Sequence, residues 1–247
     1  MSILPKMGID NRAFVVVGAG GGLGKAICRY LTDQGATVVA IDRQQSALNQ
    51  LTGCAKVRLV ADATEPESLT EQLNTLDFPL HGLVNCQGIL HIRPALELPH
   101  EEFLQTMDVN VSSIWVSSVV FAKIQIARNH HGSIVNLSSV SSRVVNPGYS
   151  AYATSKAAVS QLTRVLALEW ATHNLRVNAI GPAMTPTPMT DQHLLSDDFR
   201  TSATEKIPLG RLSRPDDLFG ILGLLLSDQS VFITGQTIMV DGGRTLC

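Results

Sequence analysis

Val17-Gly18-Ala19-Gly20-Gly21-Gly22-Leu23-Gly24-Lys25 closes an apolar run of strand length and opens a stretch with helical periodicity. Glycine lets a backbone turn sharply, lets an anion approach the amides, and lets a helix pack close against the strand before it. A Cβ interferes with all three. The spacing is Gly18-x-x-x-Gly22-x-Gly24, because Leu23 stands where a G-x-G-x-x-G turn starting at Gly18 and Gly20 needs its third glycine. Taken alone, the stretch fits either a phosphate cradle or a strand-to-helix turn with no ligand.

The flanking pattern narrows the choice. Apolar runs recur at Phe14 to Gly18, Thr37 to Ile41, Val57 to Ala61, Gly82 to Cys86, Ser133 to Leu137, Arg176 to Ile180 and Thr237 to Val240, with helical stretches between them. Strands that are apolar throughout, rather than at every second residue, belong to a parallel sheet buried on both faces by crossover helices. The expected fold is therefore a doubly wound α/β sheet of about seven strands. No linker, repeat or compositional shift divides the chain, so residues 1–247 are read as one domain. The one long interruption, about 182–211 after the sixth strand, holds Pro182, Pro186, Pro188 and Pro208 and reads as a substrate lid or an ordinary surface excursion.

Bulk composition excludes several classes. The 247 residues are 45% apolar and 16% charged with a formal net charge of -2, which suits a globular core and gives no basic footprint for nucleic acid or an anionic membrane. Four cysteines without C-x-x-C spacing suggest a reducing compartment, and no apolar run reaches the roughly 18 to 20 residues of a membrane span. The expectation is a cytoplasmic protein.

Asp42 ends the second strand, where an acid can accept hydrogen bonds from the ribose hydroxyls of a dinucleotide. A 2′-phosphate would meet like charge there, so Asp42 favours NAD, with neighbouring Arg43 softening the repulsion. Asp62 follows the third strand and either faces the adenine or caps the helix that comes next. Farther along, Tyr152 and Lys156 are four apart within the helical stretch Ser150 to Thr172 and share a face. A phenol normally titrates near pH 10, and a nearby ammonium lowers that value by favouring phenolate. Ser139 lies at the C-terminal end of the fifth strand, where open parallel sheets bind ligands and a hydroxyl can donate to a carbonyl oxygen. Ser138, Ser141 and Ser142 share that chemistry and are not separated from it by sequence.

Together with Asn85-Cys86-Gln87-Gly88, Asn110, Asn178-x-x-Gly181-Pro182, Thr187 and Asp241-Gly-Gly, these motifs resemble the short-chain dehydrogenase/reductase family of the Tyr-x-x-x-Lys type along nearly the whole chain. The resemblance implies a Rossmann-like strand order of 3-2-1-4-5-6-7 and an NAD-dependent oxidoreductase that moves hydride between nicotinamide and a secondary alcohol or ketone, including a cyclic alcohol or a 3-oxoacyl substrate. It implies Tyr152 as general acid/base, Ser139 as the group polarising the carbonyl, Lys156 as the residue tuning Tyr152 and holding the nicotinamide ribose, and Asn110 as part of a water-linked proton relay. Cofactor contacts are implied at Gly18, Gly20, Gly22, Leu23, Gly24, Asp42, Arg43, Asp62, Ala63, Asn85 and Gly88, and again at Pro182, Ala183, Thr185 and Thr187. A homotetramer is also implied, and the apolar faces of Val111 to Ile126 and Ala157 to Leu168 fit either subunit contact or intrachain core.

The sequence departs from the family pattern at Val17, at Cys86-Gln87 and at Ala183. Val17 lacks a hydroxyl to tie the glycine turn to the strand at Gly82, which predicts a turn held less firmly. Residues expected near the substrate are Ser141, Arg143, Tyr149, Met184, Met189 and His193, with His91 and Arg93 after the fourth strand. Arg143 or Arg93 could grip a carboxylate or simply be solvated. No metal is expected, because Tyr152, Lys156 and Ser139 supply the electrophile and the acid/base. The competing readings are a dinucleotide-binding protein without catalysis, and an epimerase or dehydratase on the same scaffold.

Overall fold

In the computed structural model, which describes residues 7–247, every one of the seven apolar runs is a strand. They are β1 (Ala13–Val17), β2 (Thr37–Asp42), β3 (Val57–Val60), β4 (Gly82–Asn85), β5 (Gly132–Leu137), β6 (Leu175–Pro182) and β7 (Thr237–Val240). All pair in parallel in the order β3-β2-β1-β4-β5-β6-β7. The winding reverses between β1 and β4, so the loops leaving these two strands part and open a crevice at the C-terminal edge.

Side chains alternate across β1. Phe14 and Val16 face one layer with Ile27, Leu31, Leu222 and Leu225, while Val15 and Val17 face the other with Leu69, Val120, Phe121 and Leu166. The first layer is built on α1 (Gly22–Asp33), and the second on α3 (Pro66–Asn74) and α5 (Ser113–Ala127), with α2 (Gln45–Asn49) following β2. Burial on both sides explains why β1, β4 and β5 carry no polar alternation, whereas the edge strands β3 and β7 are only partly covered.

Helix α4 (His100–Met107) runs through a single π-helical turn, Asp108–Ser112, directly into α5. This 28-residue helix, His100–Ala127, is long and apolar enough by composition to cross a membrane, a length that the sequence reading did not find. It is a core helix instead, packed against β4, β5 and α3. Next comes α6 (Ser150–Trp170), the helix expected to carry Tyr152 and Lys156. The segment expected as irregular after β6 contains two short helices, α7 (Asp191–Leu194) and α8 (Asp197–Glu205), because its prolines lie outside 191–205 and leave that part free to coil. Helix α9 (Phe219–Leu226) completes the first layer.

Candidate active site

The glycine turn is fixed by contacts that only glycine permits. Gly18 has φ +73°, and a Cβ on it would lie 2.6 Å from the amide nitrogen of Gln87 in the loop after β4. A Cβ on Gly22 would lie 2.7 Å from Cβ of Thr187, so the chain leaving β6 folds back over the turn. Helix α1 then starts with no side-chain cap and no acid in its first turn, leaving amide donors and the positive dipole end available to an anion. These features fit a dinucleotide pyrophosphate.

With Val17 offering no hydroxyl, the turn is held by main-chain donors. Cys86 N donates to Val17 O at 2.9 Å, Ala19 N to Ile41 O at 3.1 Å, and Gly20 N to Asp42 Oδ2 at 2.9 Å. Asp42 thus ties the turn to the end of β2, and its second oxygen accepts from Gln44 N at 3.1 Å. Each carboxylate oxygen keeps lone-pair capacity for a ribose hydroxyl. Exposed Arg43 lies close enough to Asp62 to lower its pKa, behind the larger effect of Asp62 hydrogen bonds from Thr64 N and Thr64 Oγ1. Asp62 therefore forms a turn with Thr64, and the helix cap position falls to Glu65. Ala63 packs its methyl into the core.

Ser139, Tyr152 and Lys156 come together on one cleft of about 460 Å³, with Leu23 and Gly88 at one side and Pro182, Ala183, Thr185 and Thr187 along another. Lys156 is buried, donates to Leu137 O at 2.8 Å, and has its Nζ 5.7 Å from the Tyr152 ring centre. One N–H of three is used there, leaving two for a ligand. Two of the four serines have their hydroxyls occupied by the protein, which leaves those of Ser139 and Ser141 on the cleft. Ser138 Oγ donates to Lys156 O at 3.0 Å, and Ser142 Oγ donates to Ser139 O at 2.7 Å. Ser139 Oγ accepts from Ser141 N at 3.1 Å, and its hydroxyl sits beside the Tyr152 phenol, where its hydrogen favours a negative oxygen.

The electrostatics differ from the sequence expectation in one respect. Burial pushes the Tyr152 phenol up to about 12, outweighing the Ser139 hydroxyl, which favours phenolate. The same low-polarity surroundings press Lys156 down to about 8, with Cys86 opposing weakly, so its charge does not dominate the phenol. Tyr149, buried beside Tyr152 with ring centres 6.1 Å apart in an edge-to-face arrangement, adds to the apolar character of the wall.

Two predicted site residues are placed behind the cleft. Asn110, on the π-helical turn, is fully buried, accepts from Ile89 N at 2.7 Å, and donates to Ile89 O at 3.0 Å and Ser155 Oγ at 2.9 Å. Asn85 joins a buried network in which it donates to Asn136 Oδ1 at 2.8 Å and Ser118 Oγ at 3.1 Å while accepting from Ser117 Oγ at 2.7 Å. Neither side chain lines the cleft, because each is saturated by protein partners.

At the substrate end, Ser141, Tyr149, Met184 and Met189 line the cleft as expected. Arg93 does not, because it pairs with Glu102 at 3.2 Å, and His91 lies 3.5 Å from the same carboxylate. Arg143 turns outward and donates to Thr237 O. His193 does not line the cleft but packs against the ring of Phe199, which does. The wall also includes Leu90, Ile92, Phe199, Ile207, Lys206 and Arg244, which the sequence reading missed. The only available signal for Phe199, Lys206 and Ile207 was their place in the segment after β6.

This chain is similar to several known proteins. The family profile described as enoyl-(acyl carrier protein) reductase matches residues 18–245. Galactitol 2-dehydrogenase (L-tagatose-forming) of Cereibacter sphaeroides is 36% identical over 246 residues, covering 96% of each chain. A crystal structure of gluconate 5-dehydrogenase from Burkholderia cenocepacia J2315 in complex with NADP and tartrate matches with a TM-score of 0.92 at 28% identity, 98% of both chains being covered. That of 3-ketoacyl-(acyl-carrier-protein) reductase from Brucella melitensis complexed with NADH matches with a TM-score of 0.88 at 28% identity, covering 96% of this chain and 99% of that one.

Proposed function

The chain belongs to the short-chain dehydrogenase/reductase family, and from that premise we propose that it interconverts a secondary alcohol and a ketone with NAD, using Tyr152 as acid/base. The observation that carries the proposal is the convergence of Tyr152, Ser139 and Lys156 on one cleft that continues to the uncapped start of α1. When bound, the dinucleotide supplies hydride to the carbonyl carbon or accepts it from the carbinol.

Each residue has a task set by its contacts. Ser139 turns its hydroxyl hydrogen from the Tyr152 phenol to the carbonyl oxygen, and Tyr152 delivers the proton to that oxygen in reduction. With its pKa pushed up to about 12, the phenol is protonated at neutral pH, which suits the donor role. Lys156 keeps two N–H groups for the nicotinamide ribose. Asp42 holds the adenosine ribose and disfavours a 2′-phosphate. Gly88 belongs with the cofactor wall because a Cβ there would lie 3.3 Å from Asn110 Oδ1 and 3.6 Å from Lys156 Nζ. Residues 182–211, with α7 and α8, form the lid over one folding domain.

Stopped-flow assay of a ketone panel with NADH and NADPH tests this reading. Tyr152→Phe is expected to lower turnover at least ~100-fold while leaving dinucleotide binding intact, the usual scale for a lost general acid. Asp42→Ala is expected to weaken NADH binding and improve NADPH binding. Unchanged turnover in the first variant refutes the mechanism, and tighter NADPH than NADH binding by the unmodified protein refutes the cofactor assignment.

A further inference from the structure

Among the described residues, no Asp or Glu lines the cleft that holds Tyr152, yet three cations do: Lys156, Lys206 and Arg244. Lys156 has its place against Leu137 O and Tyr152. Neither of the other two pairs with an acidic side chain among the described residues, the only polar contact of the Arg244 side chain there being from Nη1 to O of the last residue, Cys247, at 3.3 Å. Nearby acids do not answer them. The Asp241 carboxylate accepts from Gly243 N, Thr245 N and Thr245 Oγ1, and Glu205 stands outside the cleft wall.

The two cations come from separate segments that the fold brings together on purpose-shaped backbone. Lys206 follows α8, and Arg244 follows β7. Leu209 N donates to Gly242 O at 3.1 Å. Gly242 and Gly243 have φ of +61° and +92°, and a Cβ on them would lie 2.7 Å from Ile207 and 2.9 Å from Pro208. Strand β7 is four places from β1 in the sheet, roughly 19 Å at ~4.8 Å per strand, and Ser139 at the end of β5 lies between. Arg244 thus rises from the strand at the opposite end of the cleft from the one that bears the glycine turn.

We propose that the substrate carries an anionic group, carboxylate or phosphate, which Lys206 and Arg244 hold while Tyr152 and Ser139 act on its carbonyl. This rests on the reading of Tyr152 given above. Exposed charges contribute modestly one by one, but two cations lining the same cleft as apolar Phe199 and Ile207, with no acid beside them there, distinguish an acid from a neutral polyol or ketose.

Binding is measured by calorimetry on Tyr152→Phe protein with whichever of NADH and NADPH binds tighter, so that turnover plays no part. The probes are 5-keto-D-gluconate, D-fructose and acetoacetyl-CoA. At least one anionic probe is expected to bind ~10-fold or more tighter than fructose. Lys206→Ala and Arg244→Ala are each expected to weaken that probe ~3- to 10-fold, the double variant more, with Arg244→Lys recovering part and raised salt reducing the difference. A response confined to ketogluconate identifies a carboxylate, and one confined to acetoacetyl-CoA identifies phosphate. Equal affinity for all three probes, no binding by either anion, or anion affinities within twofold of the parent in the double variant overturns the proposal. The Tyr152 reading fails separately, through unchanged turnover in Tyr152→Phe.

Discussion

Replacing Asn110 with Ala removes one side chain that joins three parts of the site: the loop after β4 through Ile89, the π-helical turn, and α6 through Ser155. Ile89 would lose partners for both its N–H and its C=O, while Ser155 Oγ would keep its 2.7 Å bond to Tyr152 O. Leaving a buried polar group unpaired costs about 1–3 kcal/mol, so two orphaned groups cost about 2–6 kcal/mol, with ~3 as the working value once some water enters. A chain of this size shifts by ~2–4 °C per kcal/mol, which puts the melting temperature ~6–12 °C lower. Differential scanning calorimetry measures this directly. Ser155→Ala leaves Ile89 satisfied and orphans one group, an Asn110 N–H, instead of two, so its shift should be about half of that or less. Because Ile89 follows Gly88 and Ser155 precedes Lys156, kcat should fall in Asn110→Ala more than in Ser155→Ala. A melting temperature within 2 °C of the parent, or equal shifts in the two variants, refutes the reasoning.

Two further outcomes follow from the electrostatics and the surface. Lys156 titrates at about 8 in the fold against 10.5 unfolded, so between those values the unfolded chain binds more protons and stability rises with pH. By pH 9.5 the gain relative to pH 7 is about 2 kcal/mol, absent in Lys156→Met, while Tyr152, raised to about 12, works the other way above pH 10. Urea unfolding of both proteins at pH 7 and 9.5 checks this, and parallel pH dependences refute it. For assembly, α5 is apolar all round but only one face meets the sheet, leaving Trp115 47% exposed, and Leu168 on α6 is 81% exposed. Sedimentation equilibrium is expected to give the mass of four chains, and a Trp115→Asp/Leu168→Asp protein a smaller one; a monomeric parent protein excludes the tetramer.

The sheet was legible because its inner strands are buried on both faces and read as continuous apolar runs, while the partly covered edge strands β3 and β7 still carry short apolar runs, and the first two βα units carried their own punctuation at Gly18 and Asp42. The catalytic side chains were legible for a different reason. Tyr152 and Lys156 lie on one helix and Ser139 at the tip of one strand, so local geometry nearly fixes their placement. What stayed hidden depends on contacts between distant segments. The π-helical turn at Asp108–Ser112 has no local signature, because it is stabilised by Asn110 reaching Ile89 and Ser155. The pairing of Arg93 with Glu102 and the outward turn of Arg143 are likewise tertiary outcomes, and they moved the candidate anion grip to Lys206 and Arg244. The expected depression of the Tyr152 pKa failed because i,i+4 spacing reports proximity to Lys156 but not the burial that both groups share.

Hydrogen-bond saturation sorts the polar residues at the sheet edge into two sets. Asn85, Asn110 and Ser138 have their donors occupied by protein partners and lie behind the cleft or on its floor, where they fix backbone. Ser139 accepts from Ser141 N and keeps its hydroxyl hydrogen on the Tyr152 side of the cleft, and Lys156 gives one of its three N–H groups to the protein. Asparagine suits the first set because its amide offers two donors and an acceptor in one plane, enough to satisfy both groups of Ile89 at once. A hydroxyl or an ammonium suits the second, since each keeps a rotatable donor after its anchoring contact is made. The unsaturated set faces one cleft, and the saturated set holds it there; exchanging Asn110 for a residue with a spare donor would therefore leave Ile89 incompletely held without adding a useful group to the cleft.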